Sequence, residues 1–180
     1  MSTTPYVTDT LTLGTGLLVG RLILGALMIG HGGQKLFGWL GGYGIAGTAG
    51  FFEQLGFRPG RLFVLTASLS EVGSGLLIAL GLLGPVGPAL LVSVMIVAAV
   101  TVHWKGGLFA TTNGIEVPLL YATGALVLAL TGPGPFSLDT ALGIGDTWTP
   151  ALKLAALAVG VVGGLVNLQA RRTASVAATA

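Results

Sequence analysis

Five runs of apolar residues, each bounded by polar or helix-breaking positions, set the pattern of this chain. The first covers residues 11–30 and is interrupted by one charge, Arg21. The second covers 62–83 and contains Glu71. Gly84-Pro85 breaks the chain, and the third covers 86–104, with Pro88 suited to a first helical turn. The fourth covers 117–131 and stops before Gly132-Pro133-Gly134-Pro135. The fifth covers 150–169, opened by Thr149 as N-cap and Pro150 at the first helical position. A helix that crosses a bilayer needs about 20 mostly apolar residues. The pattern therefore predicts an all-α membrane protein with five spans in a single transmembrane domain over 1–170, the fourth borrowing a turn at either end. Residues 171–180 read as a disordered cytoplasmic tail. In the glycine-rich connection 32–61, "AGTAGFFEQLGF" predicts a short interfacial helix, and "PFSLDTALG" at 135–143 is expected at the opposite interface.

Composition agrees. Of 180 residues, 53% are hydrophobic and 8% charged, against about 25% charged in a soluble domain. So few charges cannot clothe a water-facing surface, which leaves the bilayer as solvent. The formal charge of +2 is too small and too dispersed for a nucleic-acid partner. With no cysteine, disulfides, thiolate metal sites and thiol catalysis by this chain are excluded. Residues 1–10 lack Lys and Arg, so the first apolar run is expected to be a permanent span and not a cleaved leader. Five spans gather Lys35, Arg58, Arg61, Lys105, Arg171 and Arg172 on one side, and Asp9, Asp139, Asp146 and Lys153 on the other. The excess of basic residues assigns the first side to the cytoplasm. The expectation is a multi-pass inner-membrane protein with its N-terminus outside and its C-terminus in the cytoplasm.

Chemistry concentrates in a few polar residues. A charge in mid-bilayer costs at least ~2.5–3.5 kcal/mol. Arg21 lies ten residues before His31 and Glu71 ten after Arg61, which suggests equal depth and an Arg21–Glu71 contact. Arg21, Leu24, Met28, His31 and Lys35 follow helical steps of three and four and form one stripe. That stripe carries His31 and Lys35 to the cytoplasmic mouth, where Gln34, His103 and Glu116 also arrive, with Tyr121 one turn further in. Hydrogen-bonding groups beside an apolar slot suit a quinone head and tail. Two histidines with Glu116 offer a haem or metal site, a less favoured reading because axial histidines usually lie within the span. The plain alternative makes these residues helix-end anchors: Lys snorkels, Trp39 and Trp104 join the interfacial belt, and Glu116 complements a helix N-terminus. Gly160 and Gly164, with Ala156 one turn before, form a small-residue face for packing within the bundle or against a second copy.

Arg21, "HGGQKLFG", "FFEQLG", Glu71, "VHWKGGLF", "GIEVPLLY" and "GPGPFSLD" together resemble the DoxX family of small bacterial membrane proteins over residues 15–143. The resemblance implies a four-helix transmembrane bundle, to which this chain adds a C-terminal helix and a basic tail. It also implies a subunit or partner of a membrane-associated redox or oxidative-stress complex. One family relative is similar to a subunit of a thiosulfate:quinone oxidoreductase. The expected protein has no cofactor of its own and no metal, interacts with quinone, and depends on a soluble or membrane redox partner for any turnover. A small transporter or lipid-binding protein built on the Arg21–Glu71 pair, and a non-catalytic scaffold, are the alternatives; homo-oligomers fit all three.

Overall fold

The computed structural model describes residues 9–172. It is all helix, with no strand among those residues. Helix α1 spans Thr10–Phe37, α2 Gly44–Gln54, α3 Gly60–Leu80, α4 Val86–Ala98, α5 Glu116–Thr131, α6 Leu138–Ala141 and α7 Pro150–Gln169. Beyond Ala98, α4 continues as a π-helical segment, Ala99–His103, and a 3-10 turn, Trp104–Gly106. Four helices, α1, α3, α7 and the continuous Val86–Gly106 rod, are long and apolar enough to cross a membrane. The 16 residues of α5 span about 24 Å, and Lys153 Nζ caps its far end by donating to the Leu130 carbonyl.

Helix α1 starts where the Asp9 side chain accepts hydrogen bonds from the Thr12 hydroxyl and the Leu11 amide, bonds that hold its carboxyl below the usual range. It runs seven residues past the expected boundary at 30 and stops at Gly38, whose φ of 75° suits only a residue without Cβ. The overrun has a simple cause: "HGGQKLF" contains no proline, and its glycines lie on the packed face. A Cβ on Gly25 would stand 2.6 Å from the Gly75 carbonyl, and one on Gly32 2.8 Å from the Ser68 carbonyl. The pairs 25/75 and 32/68 count in opposite directions, so α1 and α3 are antiparallel with backbones in close approach. Gly160 sits on the Ala89 carbonyl and Gly164 on the Ser93 carbonyl. These count in the same direction, so α7 lies parallel to α4. The Gly160/Gly164 face is thus spent within the bundle.

Helices α1, α3, α4 and α5 surround a core of Met28, Ile78, Leu91, Val92, Met95, Ala125, Leu128 and Ala129, and α7 adds Leu157 from outside, against α4. Outward faces stay apolar: Ile23, Leu69, Val127 and Val162 are all more than half exposed. The connection expected to hold an interfacial helix does form α2, which packs on α3 and α1. Of the tail expected over 171–180, Arg171 and Arg172 are described. Arg171 Nε donates to the Leu55 carbonyl, and the Arg172 amide to that of Gly56. These two residues are docked because α7 ends beside unpaired carbonyls after α2 that need donors. Residues 173–180 lie outside the described part of the chain.

Candidate functional site

The two buried charges on α1 and α3 do not meet. Glu71 pairs with Lys35, its Oε1 and Oε2 lying 2.9 and 2.8 Å from the ammonium. Arg21 donates instead to the carbonyls of Phe136 and Ala79. The expected Arg21–Glu71 contact is therefore corrected, and helix geometry supplies the reason. In the observed register Glu71 lies level with residue 29 of α1, eight residues and about 12 Å from Arg21. Side chains also lean toward the N-terminus of their own helix. In an antiparallel pair, Arg21 and Glu71 lean apart, whereas Lys35 and Glu71 lean together. The stripe from Arg21 through Met28 and His31 to Lys35 does face inward. The transport reading, which used the Arg21–Glu71 pair, loses its polar site.

Arg21 belongs to a second polar knot at the opposite end of α1. The carboxylate whose charge acts on it is Asp139. Asp139 is fully buried and accepts hydrogen bonds from the Leu83 amide, the Gly84 amide and Trp148 Nε1 at 2.8, 2.7 and 2.9 Å. Leu83, at φ 59°, holds an uncommon conformation for a branched residue; two carboxylate oxygens on consecutive amides stabilise that turn.

Beside Lys35 the bundle forms an open-sided cavity of about 300 Å³. One side is aromatic: Phe51, Phe52, Phe57 and Phe63 line it, with ring centroids of successive contacts 5.0–6.3 Å apart. Lys35, Glu71, His31 and Tyr121 are among the cavity's polar lining residues. His31 Nε2 lies 3.3 Å from the Tyr121 hydroxyl, and the two rings meet edge to face. The π-helical segment supplies Thr101, Val102 and His103, and α7 supplies Asn167. π-helical turns recur at functional sites. The sizes of ligand pockets begin at about 300 Å³, with apolar walls and few polar groups.

Of the six rim residues named from sequence, His31, Lys35, His103 and Tyr121 line the cavity. The other two do not. Gln34 Nε2 donates to the Leu40 carbonyl where the chain leaves α1, and Glu116 Oε2 accepts from the Ala110 amide and pins the loop before α5. His103 also meets the Asn113 carbonyl at 3.0 Å. Among the described residues, no three His, Asp or Glu side chains gather as a metal site would need. The aromatic wall went unrecognised in the sequence, although the Phe51-Phe52 doublet and Phe57 were its signal.

The chain is 31% identical to the inner membrane protein YqjF of Escherichia coli (strain K12) over 127 residues, 71% of this chain and 92% of the relative. The DoxX family model matches residues 16–104. The chain belongs to the DoxX family. It is a multi-pass inner-membrane member, all helical, with the bundle the resemblance implied and an added C-terminal helix. No solved structure matches it. The DoxX match covers α1 through the π segment, so it includes Lys35, Glu71, His31 and His103, whereas Tyr121 and Asn167 lie beyond it.

Proposed function

We propose that this DoxX-family protein is a quinone-interacting subunit of a membrane-associated redox or oxidative-stress assembly, without catalysis of its own. The quinone ring occupies the cavity beside His31, Tyr121 and Lys35, its face against the phenylalanine wall and its tail leaving between helices toward lipid. The observation that carries this reading is the cavity itself, with a wall of four phenylalanines and with His31, Tyr121 and Lys35 among the hydrogen-bonding groups of its lining. A quinone carbonyl is an acceptor, and the His31–Tyr121 pair retains one hydrogen to give it. A soluble or membrane partner supplies the flavin, metal or thiol that exchanges electrons. The gathering of basic residues at the Lys35 end supports a cytoplasmic assignment for it, and in that orientation a soluble enzyme reaches the site.

Quinone titration of the purified protein tests it. Saturable binding weakened about tenfold by His31→Ala, and by a smaller factor in Tyr121→Phe, is expected from the loss of one or two hydrogen bonds. Binding that is absent, or unchanged in both variants, refutes the reading.

A further inference from the structure

The three hydrogens of the Lys35 ammonium are all committed inside the protein. One goes to the His31 carbonyl at 3.2 Å and the others to Glu71 Oε1 and Oε2. Both Glu71 oxygens are held by that same cation. The pair is secluded, with Lys35 23% and Glu71 7% exposed at the side chain. Among the described residues no other Lys, Arg, Asp or Glu borders the cavity. From α2 come Phe51 and Phe52, while Glu53 turns away to accept from the Gly60 amide. From α5 comes Tyr121, and from α7 the uncharged Asn167. His31 and His103 are the remaining titratable groups. With both neutral, the cavity carries no net charge.

This has a consequence for what can enter. An anion would have to draw the ammonium off Glu71 and leave a buried carboxylate uncompensated; a cation would do the converse to Lys35. Either exchange is costly where water is scarce. An uncharged ligand disturbs neither group. With Nε2 donating to the phenol oxygen, the Tyr121 O–H is left to bond an acceptor on that ligand.

We propose that the Lys35–Glu71 pair is the charge filter of this cavity. It admits uncharged amphipathic molecules bearing a hydrogen-bond acceptor and rejects carboxylate and ammonium amphipaths of the same shape. The proposal rests on the reading of the cavity as a ligand site and assigns the residues that set its charge class. Lys35 and Glu71 act as specificity determinants, one neutralising the other.

Three probes with one decyl tail test it: decyl-ubiquinone, decanoate and decyltrimethylammonium. Each is titrated against the full chain in a neutral-headgroup detergent at about pH 8, where unperturbed histidines are uncharged. The expected wild-type result is binding of decyl-ubiquinone, with both charged probes about tenfold or more weaker. Glu71→Gln gains about tenfold for decanoate, and Lys35→Gln about tenfold for decyltrimethylammonium. The double variant Lys35→Gln/Glu71→Gln gains neither ion. A merely structural ion pair predicts no such gains. The wild-type ranking stands without the variants, should one fail to fold. Charged probes that bind the wild type within about threefold of decyl-ubiquinone overturn the filter and leave the ligand site standing. Failure of all three probes to bind removes the site and the filter together.

Discussion

Two cations enter the bundle on one stripe of α1, and each finds compensation in the direction its side chain leans. Arg21 reaches toward the start of its helix and meets the Phe136 carbonyl. Lys35 reaches back along the same helix and meets Glu71. The inward stripe was legible in the sequence, because a three-four repeat specifies a face. The partner was not, because it depends on helix register, and register here is set by glycine contacts between α1 and α3 that residue spacing does not reveal. A charge-swap experiment separates the two pairings. Lys35→Glu with Glu71→Lys is expected to recover about 1–3 kcal/mol of the stability that the single changes lose, whereas Arg21→Glu with Glu71→Arg recovers less than about 0.5 kcal/mol. Denaturant unfolding of the purified variants measures both cycles.

At the level of elements, hydrophobic runs located every long helix to within a turn, with α1 the exception at its end. Small-residue positions then decide which helices touch. Gly160 and Gly164 bring α7 against the carbonyls of α4, leaving no room for a side chain. Gly160→Leu is expected to destabilise the protein by about 2–3 kcal/mol through overpacking, seen as a lower unfolding midpoint. Gly16→Leu is the control and should cost little, since nothing lies within 4 Å of a Cβ there. The π-helical end of α4 carries no signal in the sequence: "AVTVH" is an ordinary apolar stretch. Of the candidate site, His31, Lys35, His103 and Tyr121 were readable as polar residues converging on one end. The phenylalanine wall was hidden in a segment treated as interfacial.

Across the whole molecule, two polar clusters at opposite ends of α1 fasten the bundle. The cavity end is held by Lys35–Glu71 and by the docking of Arg171 and Arg172 on the loop after α2, with the Arg171 guanidinium 5.9 Å from the centre of the Phe57 ring. The other end is held by Asp139, which joins the α3–α4 turn to Trp148, just ahead of α7. Its burial could not be inferred from one carboxylate in a loop-like stretch. Asp139→Ala leaves three donors and Arg21 without their anion, and is expected to cost about 3 kcal/mol, with a shift in Trp148 fluorescence as the indole loses its partner. The parallel seating of α7 on α4 also imposes an order of events during synthesis. Ala89 and Gly160, like Ser93 and Gly164, are 71 positions apart, so at ~5–20 residues per second the ribosome needs roughly 4–14 s to deliver the second partner after the first. For that interval the nascent chain has its α4 face open to lipid, and the cavity lacks the wall that carries Asn167 until the last helix leaves the insertion machinery.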